Sequence, residues 1–348
     1  MSNTNRNLLL AVLALFLLSA LTYRQSVGRA DRFQRGQMFL SNLNPDEVVT
    51  IAVTKGEESV TLKRQGEGFT VVEKQGYPAS NSSVNAFLRH LLGIGLEREI
   101  GRGEGLAEEL EIEPPTEETI EVALQDSTDK EMVRLRIGKA FNNGQGNYIQ
   151  RLDEEDGFIY LTSGSVFLSS DIGGFLEKEI VDHESTEVQR VEGRDFVLEK
   201  PENGDSLLLV DLPANKQAKT SELNRLGSVL SGLRFDEVFV ADDPEIQGLE
   251  FDQALRLDLT DGSGYELSLA TQDERYFMKI RGFNTVQQVA ITRDETEEEL
   301  KEKAEMLTRA DEIDDFNSFH GSWVYEISKY AAEKIQLLRS DLIDSEST

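Results

Sequence analysis

The sequence predicts an α+β protein, in which an N-terminal transmembrane helix is followed by two duplicated, mainly antiparallel sheet modules, each covered by a helix. Three observations lead to this prediction: one long apolar run opens the chain, alternating strand patterns with few helices follow it, and one order of elements occurs twice. A chain of 348 residues is long enough for two hydrophobic cores. We expect an anchor segment at residues 1–35, a first repeat at 36–184 and a second repeat at 185–348.

The anchor segment contains a short cytoplasmic head, an apolar run from Leu8 to Tyr23 and a basic juxtamembrane stretch. The run is longer than most signal-peptide cores and shorter than the roughly 20 residues of a full span. Since Ser19-Ala20-Leu21 fits a signal-peptidase site poorly, we predict an uncleaved signal anchor, with cleavage as the alternative. The predicted membrane-anchor residues are Leu8, Leu13, Phe16, Leu21 and Tyr23.

The arginines that follow the apolar run bear on its orientation. The positive-inside rule would keep Arg24, Arg29, Arg32 and Arg35 in the cytoplasm. Large C-terminal domains, however, cross the membrane largely regardless of nearby charge, and a short head can stay inside. We therefore expect the body of the protein to lie outside the cytoplasmic membrane.

The strong negative charge excludes several classes of partner. The chain has 36 Lys and Arg against 65 Asp and Glu, which gives a formal net charge of -29. Such a surface repels nucleic acid and anionic lipid headgroups, so the anchor is left as the attachment to the membrane. The absence of cysteine excludes disulfides, thiolate metal sites, cysteine nucleophiles and a lipidated N-terminal cysteine.

The first repeat is predicted from Pro45 onward as three strands, a helix and four more strands. Apolar residues at helical spacing predict the helix, which Asn81 or Ser82 can cap, and Asp156-Gly157 is typical of a hairpin turn. The predicted strands are Val48 to Thr54, Ser59 to Arg64, Phe69 to Glu73, Ile120 to Leu124, Val133 to Ile137, Tyr148 to Leu152 and Phe158 to Leu161.

The second repeat shows the same order of elements. Val84 and Gly93 of the first predicted helix correspond to Leu223 and Gly232 at a constant offset. Three later strand segments also correspond. They are IEVALQD at 120–126 with LRLDLTD at 255–261, NYIQRL at 147–152 with RYFMKI at 275–280, and FIYLTS at 158–163 with WVYEIS at 323–328. One similar helix arises easily by chance, whereas the same order of elements twice indicates duplication.

Two features distinguish the second repeat from the first. A charged helical insertion at about 294–315 precedes its last strand, with Thr296 and Glu299 as a capping box. Its apolar or small positions are few, so we expect most of its surface to face water, with contact to a partner as the alternative. A further helix is predicted from Ala331 to Leu342.

The sequence contains no G-x-S-x-G nucleophile elbow and no Walker-type phosphate loop. No two of the histidines, His90, His183 and His320, stand at a helical i,i+4 spacing, so we expect structural roles for them. The glycine-rich run at 101–105 does not open a βαβ unit and is interpreted as a flexible loop. We therefore predict no catalytic, cofactor-binding or metal-binding residues and no enzymatic activity.

Three segments of the body together resemble the domain-of-unknown-function family 4340. They are the opening FLSNLNPDEVVTIAVTKGEESVTLKRQGEGFTV, the helix start YPAS and the closing WVYEISKYAAEKI, within a resemblance that covers roughly residues 38–343. The resemblance implies a single-pass protein of the bacterial inner membrane with its body in the periplasm. It also implies association with ABC-type export systems of the kind linked to gliding motility, with a permease and an auxiliary subunit as partners. The family has no established catalytic residues, so none is carried over.

Three hypotheses of function follow. The first is a non-enzymatic accessory subunit that scaffolds an ABC-type transporter complex or binds a partner within it. The second is a periplasmic enzyme that acts on glycan or peptide through carboxylates between the two repeats, such as those at 153–156 or 311–315 with raised pKa values. The third is a module that binds calcium or a cationic ligand, although no acidic cluster has the spacing of a calcium loop.

Overall fold

The computed structural model describes most of the chain after residue 32. The described residues are 15–16, 19–20, 33–142, 144–201, 204–284 and 296–344. The predicted anchor residues Leu8, Leu13, Leu21 and Tyr23 lie outside them, whereas Phe16 is described as helical and exposed. Within these ranges, no helix combines the length and the apolar character that a membrane crossing requires.

The chain divides into two compact units, Met1–Glu177 (unit 1) and Lys178–Thr348 (unit 2). Both are built from antiparallel strands with a few helices, which confirms the predicted α+β class.

Unit 1 is a nine-stranded antiparallel sheet with strand order β4-β3-β2-β1-β6-β7-β8-β9-β5. Its strands alternate between buried apolar and exposed polar residues, as Ile51 and Val53 show, because one face of the sheet packs on the core. The elements in chain order are β1 (Thr50–Lys55), β2 (Glu58–Gln65), β3 (Gly68–Val71), β4 (Tyr77–Pro78), α1 (Asn81–Leu92), β5 (Leu96–Arg102), α2 (Glu104–Glu109), β6 (Ile120–Gln125), β7 (Glu131–Ala140), β8 (Asn147–Arg151) and β9 (Phe158–Thr162).

Helix α1 buries the face that its sequence spacing predicts, with Val84, Phe87 and Leu91 in the core. The glycine-rich run at 101–105 does not form the predicted flexible loop. Its first residues end β5, its last residues begin α2, and Gly103 joins them with φ +122, a conformation that glycine adopts without strain.

Unit 2 is an eight-stranded antiparallel sheet with strand order β13-β12-β11-β16-β17-β18-β19-β15, beside a small sheet of β10 and β14. The elements in chain order are β10 (Glu179–Val181), β11 (Val188–Gly193), β12 (Val197–Glu199), β13 (Leu208–Leu209), α3 (Thr220–Gly227), β14 (Leu233–Arg234), β15 (Glu237–Val240), β16 (Asp252–Leu259), β17 (Ser263–Gln272), β18 (Arg275–Asn284), α4 (Glu297–His320), β19 (Trp323–Ile327) and α5 (Lys329–Ile335).

The two main sheets have the same strand order. In each unit three consecutive strands occupy one side and four later strands follow. A strand that comes between the helix and those four in the sequence, β5 or β15, closes the far edge. The corresponding sequence segments fall on equivalent strands, since 120–126 and 255–261 lie along β6 and β16, and 158–163 and 323–328 lie along β9 and β19. In unit 1 the sheet has one additional edge strand, β4.

Helix α4 is the charged insertion of unit 2, and its first predicted residues lie partly outside the described ranges. Its N-terminal half exposes Leu300 and Leu307, whereas its C-terminal half buries Ile313 against β18. The side chain of Asn317 bonds to both the backbone nitrogen and the carbonyl oxygen of Gly282, at 2.8 and 2.9 Å. The helix is therefore held to the sheet by its second half.

The predicted helix from Ala331 to Leu342 is wrong in its extent. Helix α5 ends at Ile335, and a short 3-10 helix, Arg339–Leu342, follows after an irregular stretch. Contacts with a distant part of the chain interrupt the helix. The backbone nitrogen of Arg339 donates to Asp195 at 2.8 Å, and its guanidinium donates to the carbonyls of Val210 and Asp211.

Candidate functional site

A cleft of about 350 Å³ in unit 1, here called cleft 1, lies between the end of α1 and the segment that follows β9. The last turn of α1 contributes Arg89 and His90 to one wall, and residues 93–95 continue that wall. The opposite wall consists of residues 162–167. Cleft 1 is thus built from two segments that the sheet brings together.

Gly95 allows the two walls of cleft 1 to approach closely, and Gly93 leaves room beside a backbone carbonyl of its own wall. The backbone nitrogen of Ser163 donates to the carbonyl of Gly95 at 2.8 Å. A β-carbon at Gly95 would lie 2.8 Å from the Ser163 hydroxyl, and one at Gly93 would lie 2.9 Å from the carbonyl oxygen of Arg89. The shape of the cleft therefore depends on the absence of side chains at these positions.

One permanently cationic side chain, that of Arg89, lines cleft 1. Arg89 uses its Nε to bond the carbonyl of Asn85 at 3.3 Å, which leaves its terminal nitrogens for a ligand. Within the described ranges, neither Arg89 nor His90 forms an ion pair. Phe167, at the rim, is 80% exposed, the largest exposed fraction among the large apolar side chains that are described. The cleft thus combines a cationic wall with an apolar contact point.

The equivalent place in unit 2 holds a smaller cleft of about 210 Å³, here called cleft 2. It lies between the segment after α3, with Gly232 at φ +56, and the residues that follow β19. Those residues form α5, whose Tyr330 carries the Lys334 ammonium 4.7 Å above its ring. Helix α5 thus forms a wall of cleft 2, whereas residues 162–167 form the corresponding wall of cleft 1.

The two clefts share their position but not their charged groups. At the constant offset between the two helices, Arg89 and His90 correspond to Ser228 and Val229. Gly93, in contrast, has a glycine at the corresponding position. What the two units have in common is therefore the place of the cleft and the glycine after its helix.

The three histidines lie in different surroundings. His90 lines cleft 1, and His183 lies 3.0 Å from Glu187 and 3.1 Å from the Tyr265 hydroxyl. His320 is buried, and this burial lowers its pKa to about 4. The described residues contain no group of three His, Cys, Asp or Glu side chains that could hold a metal ion.

The acidic cluster at 153–156 is organised around Arg151. The guanidinium lies 2.9 Å from Glu154 and also bonds to Asp153. Burial raises the pKa of Glu154, against the opposing charge of Arg151. Burial also acts to raise the pKa of Asp153, but hydrogen bonds from Arg151 and from the backbone nitrogen of Arg134 outweigh it and leave that pKa lowered. Asp153 and Glu154 are therefore held in ion pairs with Arg151.

The acidic cluster at 311–315 lies on the outer face of α4. Its four carboxylates are exposed, and only Ile313 between them is buried. The glycan or peptide hydrolase hypothesis expects acids enclosed in a pocket, whereas these four side chains are open to solvent.

Sequence reasoning did not single out Arg89 or Phe167. The helical spacing on α1 marks the buried face, and Arg89 lies off that face, where a solvated cation is the ordinary interpretation. Phe167 lies in a run of small and polar residues without strand alternation. A lone aromatic in such a run is the one signal that could have identified it.

Comparisons with known proteins place these features in a family. The family described as a domain of unknown function (DUF4340) matches residues 70–251, more than half of the chain, from within β3 to just before β16. No curated protein and no solved structure matches the chain. The resemblance predicted from the sequence is confirmed, and the chain belongs to the DUF4340 family.

Proposed function

We propose that the chain is a non-enzymatic, membrane-anchored accessory subunit that scaffolds an ABC-type transporter complex at the bacterial inner membrane or binds a partner within it. Its body lies in the periplasm, and its partners are the permease and auxiliary subunits of the transporter. The observation that carries the proposal is the repetition of one strand order in two units, each with a cleft at the same place. We interpret the two units as copies of one duplicated module.

The repeated clefts favour binding over catalysis. Catalysis would need a complete set of reactive side chains, either in both units or in one of them. At the helix positions that correspond to Arg89 and His90, unit 2 has Ser228 and Val229, and the cations that line cleft 2, Arg234 and Lys334, come from other positions. The place of the cleft recurs, and antiparallel sheets hold such places rigidly, because each inner strand is hydrogen-bonded on both sides. Rigid, shape-based surfaces are suited to contact with partner subunits.

The membrane anchor in this proposal is the apolar run from Leu8 to Tyr23. Each leucine or phenylalanine at the centre of a membrane span favours insertion by ~0.3 to 0.6 kcal/mol. The acidic body has no electrostatic attraction to anionic lipid, so the proposal requires this run for membrane attachment.

The orientation can be tested with a single introduced cysteine, because the native chain contains none. Lys63 is exposed on β2, and Lys63→Cys gives a unique thiol for a maleimide that cannot cross the inner membrane. In cells with a permeabilised outer membrane we expect labelling equal to that of lysed cells, while the wild-type chain stays unlabelled. Labelling of Lys63→Cys only after lysis would place the body in the cytoplasm and refute the proposed location.

Partner binding can be tested by purifying the tagged full chain in mild detergent. We expect the membrane subunits of a transporter to co-purify with the wild-type chain. Phe167→Ser, which removes the exposed aromatic of cleft 1, is expected to lose them. Leu208→Ser, at an apolar residue of β13 that is 56% exposed and outside both clefts, is the matched control.

The outcomes of the purification separate two claims. Recovery of the wild-type chain alone would contradict the accessory role. If transporter subunits are recovered equally with Phe167→Ser and with the control, the role stands but cleft 1 is not the contact surface.

A further inference from the structure

A notch of about 460 Å³ in unit 2 lies between the edge of β18, the end of α4 and the beginning of β19. Lys279 and Arg281 line it from the strand, His320 from the helix and Trp323 from β19. All of these residues belong to unit 2, and none lines cleft 1 or cleft 2.

The notch results from an interrupted ladder. The pairing of β18 with β19 stops at Met278 and Tyr325, although β18 continues to Asn284. Farther along, the side-chain amide of Asn317 takes the place of a strand by bonding both backbone groups of Gly282. Ile280 lies between these two connections, with no strand paired to it on that side. The gap is therefore a fixed feature of the fold.

His320 forms the inner wall of the notch. It is only 8% exposed, and its ring packs on Phe316 with 4.0 Å between the ring centroids. Its Nδ1 lies 2.6 Å from the hydroxyl of Tyr325, which is fully buried. We assign the hydroxyl as the donor to Nδ1, which places the proton of the neutral ring on Nε2. Among the described residues, no partner accepts this proton.

Two cations line the outer wall. Lys279 and Arg281 are two positions apart on β18, so their side chains leave the same face of the strand. Neither forms an ion pair with any described residue, although Lys279 lies 4.2 Å above the ring of Phe251. Glu266 also lines the notch, opposite Arg281 in the ladder, but its carboxylate is paired with the guanidinium of Arg256 at 3.1 Å. The notch therefore has a local excess of positive charge in a strongly acidic chain.

The end of α4 opposes this charge only weakly. A helix C-terminus is equivalent to about half a negative charge. Two of its last carbonyls, those of Asn317 and Phe319, already accept hydrogen bonds from the nitrogens of Gly321 and Ser322. The two full charges of Lys279 and Arg281 outweigh it.

We propose that this notch binds an anionic oxygen group, a carboxylate or a phosphate. The ammonium of Lys279 and the guanidinium of Arg281 supply the charge, and the Nε2 proton of His320 supplies a fixed donor at the inner wall. All three groups donate hydrogen bonds, which an anionic oxygen accepts and a cation cannot use. The inference stands apart from the accessory role, since it concerns unit 2 alone.

The position of Trp323 provides the assay, because it is the only tryptophan in the chain and it lines the notch. The full-length chain in mild detergent is titrated at constant ionic strength with benzoate and with inorganic phosphate, while the emission of Trp323 is recorded. We expect a saturable change with at least one anion and none with neutral benzamide. Saturation with benzoate alone identifies a carboxylate ligand, and saturation with phosphate alone identifies a phosphate ligand.

The variants test the assigned residues. Arg281→Gln is expected to weaken binding about tenfold, through the loss of one charge-assisted hydrogen bond. Arg194→Gln, an exposed arginine of the same unit outside the notch, is expected to bind like the wild type. The inference is overturned if neither anion saturates, if benzamide acts like benzoate, or if Arg281→Gln binds as tightly as the control.

Discussion

Acidification is expected to destabilise unit 2 through His320. The ordinary pKa of histidine is 6.5, and burial lowers that of His320 to about 4 in the folded protein. Between these two values the unfolded chain binds a proton that the folded chain does not, so the free energy of unfolding falls as the pH falls from about 6.5 to about 4. At 1.36 kcal/mol per pKa unit, the full loss is about 3 kcal/mol.

This effect can be measured with urea unfolding monitored by Trp323, whose emission reports on unit 2. The wild type and His320→Gln are compared at several pH values between 7 and 4.5. Glutamine offers Tyr325 an acceptor but does not titrate, and the carboxylates titrate in both proteins. We expect the wild type to lose about 2 to 3 kcal/mol more than the variant over this range. Equal losses in the two proteins would refute the reasoning.

Two further substitutions test the packing inside each unit. Gly138→Ala is expected to destabilise unit 1 by about 1 to 3 kcal/mol, because the added β-carbon would overlap the carbonyl oxygen of Leu110. Circular dichroism during urea unfolding measures this loss, and Gly164→Ala, with open space around it, is expected to change little. Asn317→Ala is expected to destabilise unit 2 by about 2 kcal/mol, because it removes both hydrogen bonds to Gly282. The same Trp323 assay measures it, and an unchanged unfolding midpoint would show that α4 does not hold the end of β18.

Local patterns in the sequence predicted most of the strands and the first helix. Val84, Phe87 and Leu91 recur at helical spacing, and Ile51 and Val53 alternate, because each segment must turn one apolar face to a core. Such patterns are present within a few residues, so no knowledge of the rest of the chain is needed. Whether the anchor spans the membrane stays a prediction.

The errors arose where distant contacts override local composition. The glycines at 101–105 suggest a flexible loop, but Gly101 pairs with Ile159 of β9, which extends the strand through it. Similarly, residues after Ile335 continue a helical pattern that the contacts of Arg339 with Asp195 interrupt. Neither partner is visible from the local sequence.

The candidate sites were harder to predict than the fold. Cleft 1 joins Arg89 to a segment more than seventy positions away, and the notch depends on where β19 stops pairing with β18. For His320 the sequence could indicate only that no other histidine stands four residues away from it. Its unusual environment comes from Phe316 and Tyr325, which belong to two different elements.

The shared strand order has a consequence for how the protein folds as it is synthesised. The strand that closes each sheet, β5 or β15, pairs only with the last strand of its unit, β9 or β19. This strand therefore leaves the ribosome well before its partner strand. It stays unpaired during the interval until the partner has been synthesised. In unit 2 the insertion that contains α4 lengthens this interval, so we expect unit 2 to be the slower of the two units to complete its sheet.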